Sequence, residues 1–166
     1  MRPNEPLTQE RLHEILDYDA DTGQFRWRPD SGKRAGRIAG CVAHSKVWVI
    51  HIGGRSYKAH QLAWLHMTGE WGRPAIDHRD GDTINNRWSN LRRATSTNNA
   101  ANRRRPRNNT SGFKGVFFDR DRRAWAARIS KDGQSHFLGR FATPQEAHAA
   151  YAAAAEDLFG EFARVE

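Results

Sequence analysis

Asp77 and His78 stand side by side, and two carboxamides follow them, Asn90 twelve residues after His78 and Asn99 nine residues later. An adjacent carboxylate and imidazole divide two jobs. Asp77 can hold a hard divalent cation while His78 takes a proton from water. Asn90, expected in a short strand over residues 89–92, accepts the other imidazole N–H and so fixes the tautomer that leaves the basic nitrogen available. Asn99, near the start of a helix, brings an amide oxygen to the same cation as Asp77, and Asn98 beside it is the alternative ligand. Neighbouring strand residues point to opposite faces, so the pair calls for an irregular backbone, such as a strand-to-loop transition at residues 79–82. There Asp80 and Asp82 read as turn-shaping residues.

The elements that must position these groups follow from the hydrophobic pattern. Thr8 caps a short amphipathic helix with Leu12, Ile15 and Leu16 on its apolar face. A turn at residues 19–23 leads into a strand over 24–27. Residues 46–52 form a strong β run that Gly53-Gly54 turns into a hairpin with residues 55–58. Residues 60–67 are helical and end at Gly69. His60 precedes that apolar helix and reads as structural; His44, His51 and His66 show no metal-ligand spacing. Trp48, Trp64, Trp71 and Trp88 read as packing residues. Ser96 is the expected N-cap of the helix that carries Asn99, and Pro106 its stop. Strand, loop, strand and helix converging on one cation make a ββα-metal unit.

The stretch DHRDGDTINNRWSNLRRATSTNNAAN resembles the HNH nuclease family, in particular its phage and intron-encoded homing endonucleases, whose later motif positions are Asn. The resemblance extends to the leader LTQERLHEILDYDADTGQFRW and to AHQLAWLHMTGEW, and covers most of residues 7–103. It implies His78 as general base, Asn90 as its orienting group, Asp77 and Asn99 as metal ligands, and a single Mg²⁺ (or Mn²⁺). That ion would stabilise the pentacovalent phosphate and the leaving 3′ oxygen.

Charge is unevenly spread. Residues 1–86 hold 12 Lys and Arg against 11 Asp and Glu, residues 87–140 hold 14 against 3, and residues 141–166 hold 1 against 5. A concentrated basic middle is the footprint of a polyanion binder. Arginine makes up 22 of the 27 basic residues, and its planar fork suits phosphate. Arg92 and Arg93, beside the expected second strand, are candidate DNA contacts. Arg103, Arg104, Arg105 and Arg107 read as a linker that tracks the backbone.

After a polar hinge at residues 108–112 come three strand-like runs, 113–118, 124–130 and 135–141, and a helix with the start signal Thr143-Pro144-Gln145-Glu146. Ala147, Tyr151, Ala154 and Leu158 form its expected inner face. Period-two alternation turns Trp125, Ala127 and Ile129 to the helix and Ala126, Arg128 and Ser130 outward. Gly115-Val116, WAARI at 125–129 and FLGRF at 137–141 are similar to the plant ethylene-response-factor (AP-two) DNA-binding domain. That likeness implies a sheet laid on DNA, and with alternation turning Arg128 outward, Arg128, Arg120, Arg122 and Arg123 of the first turn, and Lys114 beside them, are candidate contacts. Phe117, Arg128 and Phe137 depart from the plant pattern, so base preferences do not carry over.

The expected fold is α+β: a ββα-metal (HNH) nuclease domain over 1–107, its core at about 71–104, then a three-stranded antiparallel sheet packed on one helix over 108–166. A lone cysteine, Cys41, excludes an internal disulfide and paired CxxC zinc knuckles, and reads as a small buried filler. Mean hydropathy is −0.87, with no signal-type leader or membrane-length apolar run. These features point to an intracellular, cytoplasmic protein acting on double-stranded DNA without a membrane partner, as a monomer or weak dimer. A DNA-binding regulator with an idle nuclease scaffold is the alternative.

Overall fold

The computed structural model describes residues 6–103 and 109–165. Its contacts divide the chain into two compact units that part between Ala94 and Thr95. The sequence places the boundary at the polar hinge after residue 107. The helix carrying Asn99 thus groups with the C-terminal unit.

The first unit is built on helix α1 (Gln9–Ile15), strands β1 (Leu16–Asp19) and β2 (Gln24–Trp27), a three-stranded antiparallel sheet of β3 (Cys41–Val42), β4 (Trp48–Ile52) and β5 (Arg55–Lys58), helix α2 (Ala59–Thr68), and the hairpin β6 (Ala75–His78) with β7 (Leu91–Ala94). Thr8 accepts from the Arg11 N–H and caps α1, and Gly69 closes α2 in the left-handed conformation. Leu12, Leu16, Phe25, Ile50, Leu62 and Leu65 are the largest fully buried side chains. Trp48, Trp64, Trp71 and Trp88 pack against this core, as their apolar bodies require. Ile76 and Leu91 belong to the same cluster, so the hairpin ending in Asp77-His78 is anchored on a rigid base. Cys41 is exposed, which corrects its reading as buried filler: it lies in a two-residue outer strand whose side chains both face solvent.

The turn between β1 and β2 lies against the segment leading into β7. Trp88 N–H donates to the Ala20 carbonyl at 2.9 Å, and the Tyr18 hydroxyl donates to the Asn86 carbonyl at 2.7 Å. Gly23 makes this approach possible. Its φ is +73°, and a Cβ there would meet Arg87 N and Asn86 C, each at 2.4 Å.

The C-terminal unit contains α3 (Ser96–Ala101), strands β8 (Val116–Asp119), β9 (Ala124–Lys131) and β10 (Gln134–Phe141) in the order β10-β9-β8, and helix α4 (Pro144–Phe159). Thr95, not Ser96, caps α3 by accepting from the Asn98 N–H at 3.1 Å. Thr143 and Glu146 form the expected capping box of α4. The inner face of α4 is Ala147, Tyr151, Ala155 and Phe159. Strict i,i+4 spacing keeps this row over the sheet, so Ala155 and Phe159 replace the expected Ala154 and Leu158. Ala127 and Ile129 are buried beneath it, and Arg128 and Ser130 point outward as alternation requires. Ala126 faces outward too, but lies in register between Phe117 and Arg140 and is fully covered.

Replacing Gly23 with Ala is expected to destabilise the first unit by about 2 kcal/mol or more, since it combines a left-handed backbone with a backbone clash. Urea denaturation followed by tryptophan fluorescence measures it.

Candidate functional site

Asp77 and His78 occupy the last two positions of β6, opposite Arg92 and Leu91 of β7. The ladder stays regular through His78, so the irregularity expected within the pair begins only at Arg79. Both side chains are buried, at 4% and 5% exposure, and they face different partners.

Asp77 pairs across the strands with Arg92, whose Nε and a terminal nitrogen donate to Oδ2 at 3.0 and 2.9 Å. Arg92 is 6% exposed. It is therefore no direct phosphate contact: burial and the carboxylate hold its guanidinium inside the first unit. A charge this deep needs its partner.

His78 Nε2 lies 3.2 Å from Asn86 Oδ1. The Asn86 amide nitrogen donates to the Ile84 carbonyl at 2.9 Å, which orients the amide with oxygen toward the ring. A hydrogen bond to that oxygen calls for a proton on Nε2. The sequence reading gave this orienting task to Asn90. In the structure the Asn90 amide is engaged elsewhere: it donates to Asp80 Oδ1 at 3.0 Å and the Asn85 carbonyl at 2.8 Å, and accepts from Asp80 N–H at 3.1 Å. Asn90 sits in a short 3-10 turn, with the strand starting at Leu91. Its bonds shape the 79–90 loop. Asp80 is the hub of that loop, also receiving Asp82 N–H at 2.8 Å and the Asn85 amide at 2.7 Å. Burial works to raise the Asp80 pKa. The Asp82 N–H, the Asn85 and Asn90 amides and His78 outweigh it and hold the carboxyl below its ordinary range.

His60 stands edge-on to His78, ring centroids 5.0 Å apart. Its Nδ1 is buried without a hydrogen-bond partner. Burial first, then the charges of His78 and Lys58, push its pKa down to about 3. A neutral ring therefore walls one side of His78. Asn86 and His60 are the site residues that sequence reasoning missed. The Asn85-Asn86 pair inside the loop was a signal for the first; nothing in the local sequence distinguished His60 from a core histidine.

Among the described residues no group of three His, Cys, Asp or Glu is arranged to hold a metal ion. A lone carboxylate such as Asp77 suits only a hard cation that draws most of its oxygen ligands from water and substrate. Asn99 lies in α3, half-buried, with its N–H donating to the Thr95 carbonyl at 2.9 Å.

The remaining basic candidates differ in accessibility. Arg93 is exposed, is paired with Glu70 and lies over the Trp64 ring. Arg103, Arg120, Arg122, Arg123 and Arg128 are exposed. Arg104, Arg105 and Arg107 lie outside the described residues. Lys114 is a structural tether and not an open contact. Its Nζ donates to the carbonyls of Ala101 at 2.5 Å, Arg103 at 2.7 Å and Arg164 at 3.0 Å, and burial with the nearby Arg164 charge pushes its pKa down to about 8.

Residues 57–101 match the family model described as HNH endonuclease. The matched segment, which is similar to HNH endonucleases, holds Asp77, His78 and Asn86. The chain is 38% identical over 61 residues to Protein 3.8 of Escherichia phage T7, a match covering 37% of this chain and 50% of that protein. It is 36% identical over 88 residues to an uncharacterized HNH endonuclease of Acanthamoeba polyphaga mimivirus, covering 53% and 44%. The chain spans half or less of the length of these relatives. A solved structure of the HNH homing endonuclease I-HmuI matches with a TM-score of 0.42 and 23% identity, over 53% of this chain and 51% of that one. No helix of the described residues is long and apolar enough to cross a membrane.

Two outcomes are expected. Arg92→Leu removes the bidentate partner of a buried carboxylate and should cost up to about 3–5 kcal/mol, read as a lower urea midpoint. His60 stays neutral when folded, whereas the unfolded chain takes up its proton below about pH 6.5. Its contribution to stability is complete above that pH and is lost as pH falls toward 3. A pH series of denaturation midpoints should therefore be flatter between pH 6.5 and 4 for His60→Phe than for wild type. A slope remains from His66, whose pKa burial lowers to about 4.

Proposed function

We propose that the chain is a metal-dependent DNA endonuclease that hydrolyses phosphodiester bonds, of the site-directed homing type. The observation that carries this reading is His78, buried at the end of β6, with Nε2 facing Asn86 Oδ1, in a segment of HNH endonuclease type. The held tautomer presents Nδ1 as the proton acceptor for a water that attacks the phosphorus in line. Asn86 keeps the ring from rotating, and the uncharged His60 ring excludes water from one flank without competing for the proton. Asp77 would hold Mg²⁺ or Mn²⁺, whose chemistry is Lewis-acid stabilisation of charge on the phosphate and the leaving 3′ oxygen. Arg92 directs the Asp77 carboxylate, as a partner behind a metal ligand does. The C-terminal sheet-helix unit, similar in pattern to an AP-two domain, supplies grip on double-stranded DNA through Arg120, Arg122, Arg123 and Arg128, with Arg93 and the 103–107 arginines following the backbone.

One observation favours a second reading. The Asp77–Arg92 ion pair already satisfies the buried carboxylate without a cation, as in a DNA-binding regulator with an idle nuclease scaffold. The two readings part on a plasmid assay. With Mg²⁺, wild type is expected to nick supercoiled DNA, and chelator or His78→Ala to reduce the rate by at least about 100-fold, the scale of a positioned general base. Equal, negligible nicking by wild type and variant would overturn the nuclease reading and favour the regulator. Indiscriminate degradation of every plasmid would remove the site-directed element.

A further inference from the structure

The outer face of the C-terminal sheet, away from α4, carries two large aromatic rings in the open. Phe117 is 38% exposed and Phe137 is 49% exposed. They flank β9: Phe117 lies opposite Ala126, and Phe137 opposite Arg128. Each ring has a guanidinium beside it. Arg128 lies over Phe117 at 5.4 Å and Arg140 over Phe137 at 5.0 Å from the ring centroids, within cation–π range. Phe137 and Arg140 are three residues apart and would point to opposite faces of a regular strand. A bulge between Phe137 and Gly139 shifts the register and returns Arg140 to the face that holds the ring. Arg140 also donates from Nε to Asp119 Oδ2 at 3.0 Å.

The exposed part of each ring stays in contact with water, and a ligand that covered it would add hydrophobic stabilisation. The flanking arginines make a polyanion the complementary ligand, and the rings narrow it further. Phenylalanine has no hydrogen-bonding group, so at the base edges of an intact duplex it is limited to apolar contact with a thymine methyl. It can stack on a base face, and a base face is exposed where the base is unstacked. Spacing argues the same way. The rings are separated by two strand spacings across the sheet and two residues along it, which places them about 12 Å apart. Successive bases of a duplex strand rise only about 3.4 Å.

We infer that Phe117 and Phe137, with Arg128 and Arg140, form a stacking platform for unpaired nucleotides, so that this sheet holds single-stranded or locally opened DNA. The inference rests on the reading that the C-terminal unit grips nucleic acid, and it is independent of cleavage.

Binding is measured by fluorescence anisotropy with the full-length chain in chelator, using a labelled oligodeoxynucleotide alone and annealed to its complement. Phe117→Ala with Phe137→Ala should weaken single-strand binding by roughly 5- to 100-fold per ring, the range for lost base stacking, and duplex binding by less than about threefold. Phe117→Tyr with Phe137→Tyr should keep single-strand affinity within about threefold, because the ring face is retained. Both positions are exposed, and unchanged circular dichroism melting checks the fold. Equal losses on both ligands, or no loss on either, overturn the platform. Wild-type binding to duplex but not to single strand overturns it while leaving the DNA grip intact; binding to neither overturns both.

Discussion

Everything proposed for the catalytic chemistry depends on one orientation, that of the His78 ring against Asn86. An imidazole is a useful base only if the nitrogen that faces the water carries the lone pair. Here the Asn86 oxygen decides this, and the Asn86 amide is itself locked by the Ile84 carbonyl. The backbone of Asn86 is held in turn by the Tyr18 hydroxyl and by the close approach of Gly23. A hairpin near the start of the chain therefore sets the tautomer of a residue some sixty positions later in the sequence, through packing and not through chemistry of its own.

Asp77 and Arg92 illustrate a different constraint. A carboxylate buried at the end of a strand is costly unless a positive charge meets it, and the directly opposed strand position supplies one. The same ion pair can stand behind a metal ligand or satisfy the carboxylate without a cation, and in the proposed reading the ion's remaining oxygens come from substrate. A site of the proposed kind, with so few protein donors, binds a cation weakly until substrate adds its oxygens.

The two units divide the physical work. The first has a conventional apolar core and places buried polar groups at the end of one hairpin. The C-terminal unit has a small core made possible by alanines on α4 and leaves its opposite sheet face bare, with arginines beside exposed rings. Lys114, although cationic and in the basic region, is spent inside this unit on three carbonyls, where an ammonium can satisfy several acceptors at once.

Residue types and their order were enough to determine the α+β class, the capping box at Thr143, the Gly53-Gly54 hairpin, the Asp77-His78 pair and the basic middle of the chain. These depend on local propensity, period and charge, which are properties of neighbouring residues. Tertiary structure alone decided that Asn86 and not Asn90 faces His78, that His60 walls the same ring, that Arg92 and Lys114 are internal partners, and that α3 groups with the C-terminal unit. Each of those outcomes turns on which groups from distant segments meet in space, and on whether burial leaves a charge any partner but the one beside it.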